Sequence, residues 1–183
     1  MNESRALRII NVDAGLVPYV KIDEWVALSI RCSQDPLPQP FYARYGDMKH
    51  SLLEVAMAPD DFRISAKAGT FCGLTIVSFA QSDLRSPTRE PDAIESRIGV
   101  PIVDVSNWEG SPIRDKNVPF TLSVTSDGIQ IWFANPVEPK IRYDAGQTHF
   151  CATGRNKLIG VSVDGLGHED MCRLDKAHGL KRP

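Results

Sequence analysis

Two pairs of histidine and cysteine residues in the last third of the chain have spacings that could serve metal binding. His149 and Cys151 lie two positions apart in a predicted strand, and His168 and Cys172 lie four positions apart in a predicted helix. Each pair shares one face of its element, and together the four side chains would satisfy tetrahedral zinc, provided that the helix packs across the strand. The alternative is that Cys151 is a small buried hydrophobic residue, that His149 is a surface residue of the strand, and that the helical pair is incidental.

A second set of residues could support thiol chemistry. Cys32 precedes a proline-rich segment, and Asp47 and His50 lie at the far end of that segment. A nucleophilic cysteine needs a histidine to activate its thiolate and a third group to orient the histidine. The three residues follow no local signature of a thiol enzyme, and Cys72 lies in a strongly apolar segment where we expect an inert thiol.

Aromatic and acidic residues after a predicted strand could form a binding surface. Asp104, Trp108 and Glu109 could hold a cationic or planar group of a partner, or Asp104 could close an Asx turn while Trp108 covers the core. Trp132 lies on the polar face of a predicted hairpin. Its ring is either covered by a loop or helix or exposed as an anchor for a partner.

That hairpin is predicted from the dipeptide 127–128, Asp-Gly, which suits a two-residue turn between alternating strands. Pairing outward from the turn places Val124 opposite Ile131 and Leu122 opposite Phe133. These four side chains, with Phe120, form one apolar face, which we expect to belong to the core.

Strand patterns dominate the rest of the chain, because β-branched and aromatic residues alternate with polar ones between turn residues. Strands are predicted at 7–12, 19–32, 52–57, 70–79, 100–105, 120–125, 129–134, 140–143, 148–152 and 158–163. A helix is predicted at 168–178, and a weaker helical turn or two at 91–97. We therefore expect one α+β, mainly β domain over residues 1–183, with an antiparallel sheet or sandwich and one carboxy-terminal helix.

Two segments are predicted as long loops, at 33–50 and 81–99. The first contains the run Asp-Pro-Leu-Pro-Gln-Pro, which favours an extended excursion, and the second is polar and contains Pro87 and Pro91. Long loops in small domains often carry binding surfaces, so these segments are the first places to look for one.

The overall charge and the cysteine content exclude several classes of function. The chain has 183 residues, and 21 Lys and Arg residues stand against 23 Asp and Glu residues. That balance lacks the basic excess of nucleic-acid-binding proteins. No apolar run is long enough for a membrane span, and the four cysteines show no paired spacing. We expect a cytoplasmic protein with reduced thiols, no membrane partner and no nucleic-acid partner.

The segment 123–180 reads as strand, Asp-Gly turn, three further strands, a Gly-Arg-Asn-Lys turn, the run Leu-Ile-Gly-Val-Ser-Val-Asp-Gly-Leu, and a helix. This order resembles the closing meander of small bacterial immunity proteins that accompany polymorphic or contact-dependent toxins. The segments 52–55 and 73–77 are similar to segments of the same class of small proteins. The resemblance implies a non-enzymatic inhibitor fold and transfers no binding residue.

These observations predict a non-enzymatic protein-binding domain without a cofactor, most concretely an immunity or antitoxin-type inhibitor that occludes a toxin. One alternative is a zinc-binding or thiol-dependent enzyme domain. A second alternative is a structural or assembly protein that pairs through a sheet edge.

Overall fold

The computed structural model describes residues 7–22, 28–33, 40–47, 51–59, 68–80, 83–87, 94–106, 108, 113–116, 118–133 and 138–178. Within these residues lie fourteen strands and one helix. They are β1 Leu7–Asp13, β2 Tyr19–Lys21, β3 Leu28–Arg31, β4 Phe41–Tyr45, β5 Leu52–Pro59, β6 Ala68–Ser78, β7 Glu95–Ile98, β8 Val100–Asp104, β9 Ile113–Asp115, β10 Thr121–Val124, β11 Ile129–Trp132, β12 Ile141–Ala145, β13 Thr148–Ala152, β14 Lys157–Val163 and α1 His168–His178.

The strands form two layers that are joined through β1. The first layer has the order β7-β12-β13-β14-β11-β10, and the second has the order β8-β6-β5-β4-β9, with β3 and β2 continuing from β6. β1 pairs with β14 at Leu7 and Arg8, and with β8 from Ile9 to Asp13. The expectation of a mainly β fold with one carboxy-terminal helix is confirmed.

The hydrophobic core lies between the two layers. The Phe71 ring on β6 meets the Phe150 ring on β13 edge to face, with centroids 4.7 Å apart, and the Tyr45 ring on β4 stacks on Phe133 at 4.9 Å. One hydrophobic cluster contains buried residues from both layers. The two layers therefore pack face to face as a sandwich.

Side-chain alternation explains why most strands form where they do. On β5, Leu53, Val55 and Met57 are buried while the intervening residues are partly exposed. Successive side chains of a strand point to opposite faces, so this pattern places one face of β5 against the core.

The sheet is mixed, whereas an antiparallel one was predicted. β7 pairs with β12 in parallel, and β4 pairs with β9 in parallel. Parallel neighbours require a long crossover, and here each pair is connected through several other strands. Alternation within a strand specifies its faces and carries no information about the direction of its neighbour.

Both predicted loops contain strands. β4 lies inside the segment 33–50, and β7 lies inside the segment 81–99. The helical turn predicted at 91–97 is wrong at residues 95–97, which belong to β7, and residues 91–93 lie outside the described residues. All four residues of β7 are exposed, and its sequence, Glu-Ser-Arg-Ile, has no alternation of apolar and polar residues by which a strand could be predicted. The strand is held by backbone pairing with β12 and by the hydrogen bond from Ser96 to Asp144, and neither interaction follows from a local sequence pattern.

The hairpin of β10 and β11 forms with a different register from the predicted one. Val124 pairs with Ile129 and Leu122 pairs with Ile131, so the connection has four residues, and the Thr125 N–H donates to the Gly128 carbonyl at 3.0 Å. The shift is two residues, which keeps the same side chains on the core face. The turn also packs against β14, since a Cβ at Gly128 would lie 2.2 Å from the Val163 carbonyl oxygen.

The helix α1 has the predicted bounds. Glu169 and Asp170 lie in its first turn, where negative charge favours the helix dipole. Met171 and Leu174 are buried in the core cluster. Among the described residues, no helix is long and apolar enough to cross a membrane.

Candidate functional site

An open cleft lies where β4, β5 and the segment before β10 meet. Its volume is about 380 Å³, and its lining includes Gly46, Asp47, Ser51, Asp83 and Phe120. Gly46 and Asp47 directly follow β4, and Ser51 directly precedes β5. The cleft thus combines two carboxylates and a hydroxyl group, and the Phe120 ring beside them belongs to the buried core.

Gly46 allows the backbone to close around this cleft. Its φ is +108°, a conformation that L side chains rarely adopt, and a Cβ at this position would lie 2.0 Å from the Ser51 carbonyl oxygen. The Gly46 N–H donates to the Val118 carbonyl at 2.8 Å. The glycine therefore lets the end of β4 approach Ser51 and the segment before Phe120 at the same time.

Hydrogen bonds hold both carboxylates in place. Asp83 Oδ2 accepts a hydrogen bond from Ser51 Oγ and another from the Ala80 N–H at 2.7 Å. Asp47 Oδ1 accepts the Ser51 N–H at 3.1 Å. Ser51 is buried and bonds to both acidic side chains, so the two carboxylates are positioned before any ligand arrives.

A second polar cluster surrounds His149 on the outer face of the first layer. His149 Nδ1 lies 2.6 Å from Asp144 Oδ1, and His149 Nε2 lies 3.3 Å from Asp164 Oδ2. Ser96 Oγ donates to Asp144 Oδ2. Arg142 Nε lies 2.8 Å from Asp144 Oδ1, within ion-pair range, although its N–H does not meet hydrogen-bond geometry.

This His149 cluster has a structural role. Both ring nitrogens face carboxylates, and both can donate only when the ring is protonated. The cluster connects β12 and β13 to the segment before α1, and Ser96 attaches the edge strand β7 to it.

The cluster also sets the protonation state of Asp144. Burial acts to raise the pKa of this carboxyl, but the hydrogen bonds from Ser96 and His149 and the charge of Arg142 outweigh burial and hold the pKa below its ordinary value of 3.8. The ionised carboxylate therefore stabilises the folded state above about pH 4, and this contribution is lost as the pH falls through the folded-state pKa.

Replacing Asp144 should consequently matter at neutral pH and not in acid. We expect Asp144→Asn to lower the melting temperature by about 1–4 °C at pH 6, because the group is partly exposed and its pairing is only moderately strong. The difference from the unsubstituted protein should shrink below about pH 4. Thermal melts across this range measure it, with the exposed Asp127→Asn as the control. A difference that stays constant down to pH 3 would contradict the assignment.

The predicted zinc ligands lie in separate environments. His168 Nε2 lies 3.5 Å from Cys172 Sγ on α1, so this pair converges as its spacing predicts. Cys151 is buried in β13, and the ring of His149 faces two carboxylates. Among the described residues, no group of three or more His, Cys, Asp or Glu side chains could hold a metal ion. The spacing places the two members of each pair on one face of their strand or helix. It does not determine whether the strand pair and the helix pair come together.

The thiols lie in environments that oppose ionisation. Burial, with a smaller contribution from the charge of Asp13, raises the pKa of Cys32 to about 12, and burial together with neighbouring Cys32 raises the pKa of Cys72 to about 12. Both thiols are therefore protonated at neutral pH, which disfavours nucleophilic chemistry. Asp47 of the predicted triad lines the cleft, and His50 lies outside the described residues.

The predicted aromatic binding residues are interior ones. Trp108 is 7% exposed, packs edge to face on Phe41 at 5.7 Å, and lies 5.3 Å from the Lys116 ammonium. Asp104 Oδ1 accepts the Ser106 N–H at 2.9 Å, which is the predicted Asx turn. Of the two interpretations of this loop, the one in which tryptophan covers the core agrees with the structure. Glu109 lies outside the described residues.

Trp132 is also covered, with 5% of its surface exposed. It pairs with Thr121 on β10 and with Gly160 on β14. A Cβ at Gly160 would lie 2.7 Å from Trp132 Cε3, so the indole ring lies against a position without a side chain. The ring is therefore not an exposed anchor.

The sequence argument missed the cleft because its residues carry no shared local pattern. Asp83 lay in a predicted loop, Ser51 had no assigned role, and Asp47 was considered only with Cys32. Gly46 and Asp47 are residue types that are common in turns, and such a pair indicates a bend without indicating what the bend encloses.

No protein-family model and no curated protein matches this sequence. The resemblance of residues 123–180 to immunity proteins therefore stays a prediction.

Proposed function

We propose that this chain is a non-enzymatic protein-binding domain whose cleft receives a cationic side chain from the partner. The observation that carries this proposal is the pair of prearranged carboxylates, Asp47 and Asp83, at an open cleft of about 380 Å³ beside the Phe120 ring. Protein interfaces concentrate their binding energy in a few anchor side chains that fill such clefts, and arginine is prominent among them.

The chemistry of the cleft suits an arginine or lysine side chain. A carboxylate and a guanidinium form strong charge-assisted hydrogen bonds. The Phe120 ring beside them is only 1% exposed and belongs to the core, so the carboxylates provide the recognition. Because Ser51 already orders both carboxylates, the complex would form with a small loss of side-chain entropy.

The remaining titratable groups favour binding over catalysis. The Cys32 and Cys72 thiols have a pKa near 12, and both nitrogens of His149 face carboxylates. These groups serve the fold in the described part of the chain, whereas the cleft faces solvent.

The finer proposal is an immunity or antitoxin-type inhibitor that occludes a toxin in the bacterial cytoplasm. Its support is the resemblance carried by residues 123–180 and the acidic character of the cleft. In this proposal the toxin inserts a basic side chain between Asp47 and Asp83, and the inhibitor covers the surface around that side chain.

We expect the purified protein to bind a toxin domain encoded beside it, with Asp83→Asn weakening the affinity by about tenfold to a hundredfold. A hydrogen bond to a charged group contributes about 1.5–3 kcal/mol, which corresponds to that range. Isothermal titration calorimetry measures the affinity, and thermal melts confirm that the variant is folded.

Asp127→Asn is the matched control, because it removes one exposed carboxylate away from the cleft lining and should bind like the unsubstituted protein. Equal affinities for Asp83→Asn and the control would reject the cleft as the binding site. Failure of the toxin domain to bind at all would reject the inhibitor proposal.

A further inference from the structure

The edge strand β7 is exposed along its whole length. Each of its four residues is exposed, and Ile98 retains 74% of its accessible surface, the largest value among the exposed large hydrophobic residues that the structure describes. β7 stands at the end of the first layer, and among the described strands only β12 pairs with it. Exposed edges of this kind invite pairing with another strand.

The backbone of β7 offers hydrogen-bonding groups to such a strand. The Glu95 N–H donates to the Lys140 carbonyl and the Gly99 N–H donates to the Asp144 carbonyl, both at 3.0 Å. Peptide groups alternate in direction along a strand, so residues 95, 97 and 99 face β12. The N–H and carbonyl groups of Ser96 and Ile98 therefore point away from the sheet, where a further strand would lie.

The sequence of this edge is complementary to a second copy of itself that runs in the opposite direction. The sequence at 94–98 is Ile-Glu-Ser-Arg-Ile. In an antiparallel pair of two copies centred on Ser96, Glu95 of each copy lies opposite Arg97 of the other, and Ile94 lies opposite Ile98. Opposite charges and apolar pairs directly across a sheet are stabilising.

The backbone geometry agrees with this register. Ser96 faces outward, so the two Ser96 residues would exchange hydrogen bonds at the centre of the pair. Glu95 and Arg97 would then occupy the sites between hydrogen-bonded pairs, where facing residues approach most closely. Both side chains lie on one face of β7, since Arg97 Nη2 lies 2.7 Å from Glu95 Oε1.

A register centred on Arg97 would use the same outward groups. It would place the two Arg97 side chains directly opposite each other, which like charges disfavour. Charge complementarity therefore selects the register centred on Ser96.

From these observations we propose that two copies of this chain associate through antiparallel pairing of β7 with β7, about a two-fold axis at Ser96. The pairing continues the first layer from one copy into the other. The cleft lined by Asp47 and Asp83 has no residue in this surface, so the proposal is independent of the proposed function. Few residues pair between the two copies, so we expect a weak dimer whose population depends on the protein concentration.

A charge-reversal experiment tests the register. The unsubstituted protein should show a monomer–dimer equilibrium by sedimentation velocity between about 1 and about 500 µM. Glu95→Arg creates an edge with two arginines and Arg97→Glu creates one with two glutamates, so each variant alone should dimerise at least about tenfold more weakly. An equimolar mixture of the two variants should recover dimerisation, because every facing pair then has opposite charges.

Cross-linking provides a second and independent measurement. Facing residues in a hydrogen-bonded antiparallel pair have Cα atoms about 5.5 Å apart, within the range of a disulfide. Ser96→Cys should therefore form a covalent dimer under mild oxidation, while Ile98→Cys, which faces Ile94, should not. A protein that stays monomeric throughout the concentration range, or a dimer that neither charge variant weakens, would overturn the proposal.

Discussion

Gly46→Ala is expected to destabilise the fold by about 2–5 kcal/mol, which combines the cost of a left-handed backbone with the cost of overpacking. At φ +108° an alanine is strained, and its Cβ would lie 2.0 Å from the Ser51 carbonyl oxygen. Because that oxygen belongs to the backbone, relief requires the end of β4 to move away from β5. Urea denaturation measures the loss, and the movement should also weaken binding of a partner at the cleft.

Gly165→Ala provides the matched control. Gly165 also has a positive φ, +70°, but a Cβ there would meet no atom within 4 Å. Its substitution should therefore cost only the backbone strain, about 1 kcal/mol. If Gly46→Ala is no more destabilising than Gly165→Ala, the close approach at the cleft is not a feature of the protein in solution.

Phe150→Ala should destabilise the fold by about 3–5 kcal/mol, the range for removing a large aromatic side chain from a packed core. Phe150 is fully buried, and its ring meets Phe71 across the two layers with centroids 4.7 Å apart. The substitution removes this contact and leaves a cavity at the middle of the sandwich. Urea denaturation with a fitted free energy of unfolding measures the effect.

Two further experiments separate the loss of the ring contact from the loss of hydrophobic burial in general. Val77→Ala removes an apolar side chain that is 42% exposed and should cost less than about 0.5–1 kcal/mol. A double-mutant cycle between Phe150→Leu and Phe71→Leu should give a coupling energy of about 0.5–1.5 kcal/mol. A Phe150→Ala loss as small as that of Val77→Ala would argue against the face-to-face packing of the two layers.

Local patterns predicted the elements whose stability is local or whose faces differ in polarity. The bounds of α1 follow from Gly165 and Gly167 before it and Gly179 after it in the sequence, and the acidic residues of its first turn suit the helix dipole. The core faces of β5, β10 and β11 follow from alternation, which has the same period as the strand itself. The hairpin register shifted by two residues without exposing Leu122, because an even shift preserves the face.

The candidate site lay beyond such reasoning because it is assembled from distant segments. Asp47 and Asp83 are brought together by Ser51, which bonds to both, and Gly46 makes that approach possible. No spacing in the sequence relates these residues. Spacing within a strand or a helix likewise says nothing about how the two elements pack, so the zinc hypothesis for His149, Cys151, His168 and Cys172 stays a prediction.

The sequence by itself determined the composition class, the mainly β character, the apolar faces of the central strands and the carboxy-terminal helix. Those features depend on interactions within a few residues and on the burial of side chains at a fixed period. The tertiary structure alone decided that β4 and β7 are strands, that Trp108 and Trp132 are interior, and that two acidic side chains share a cleft. These outcomes depend on backbone pairing and packing between segments far apart in the chain. The period of a side-chain pattern identifies which face of an element is buried, but it does not identify the element that packs against that face.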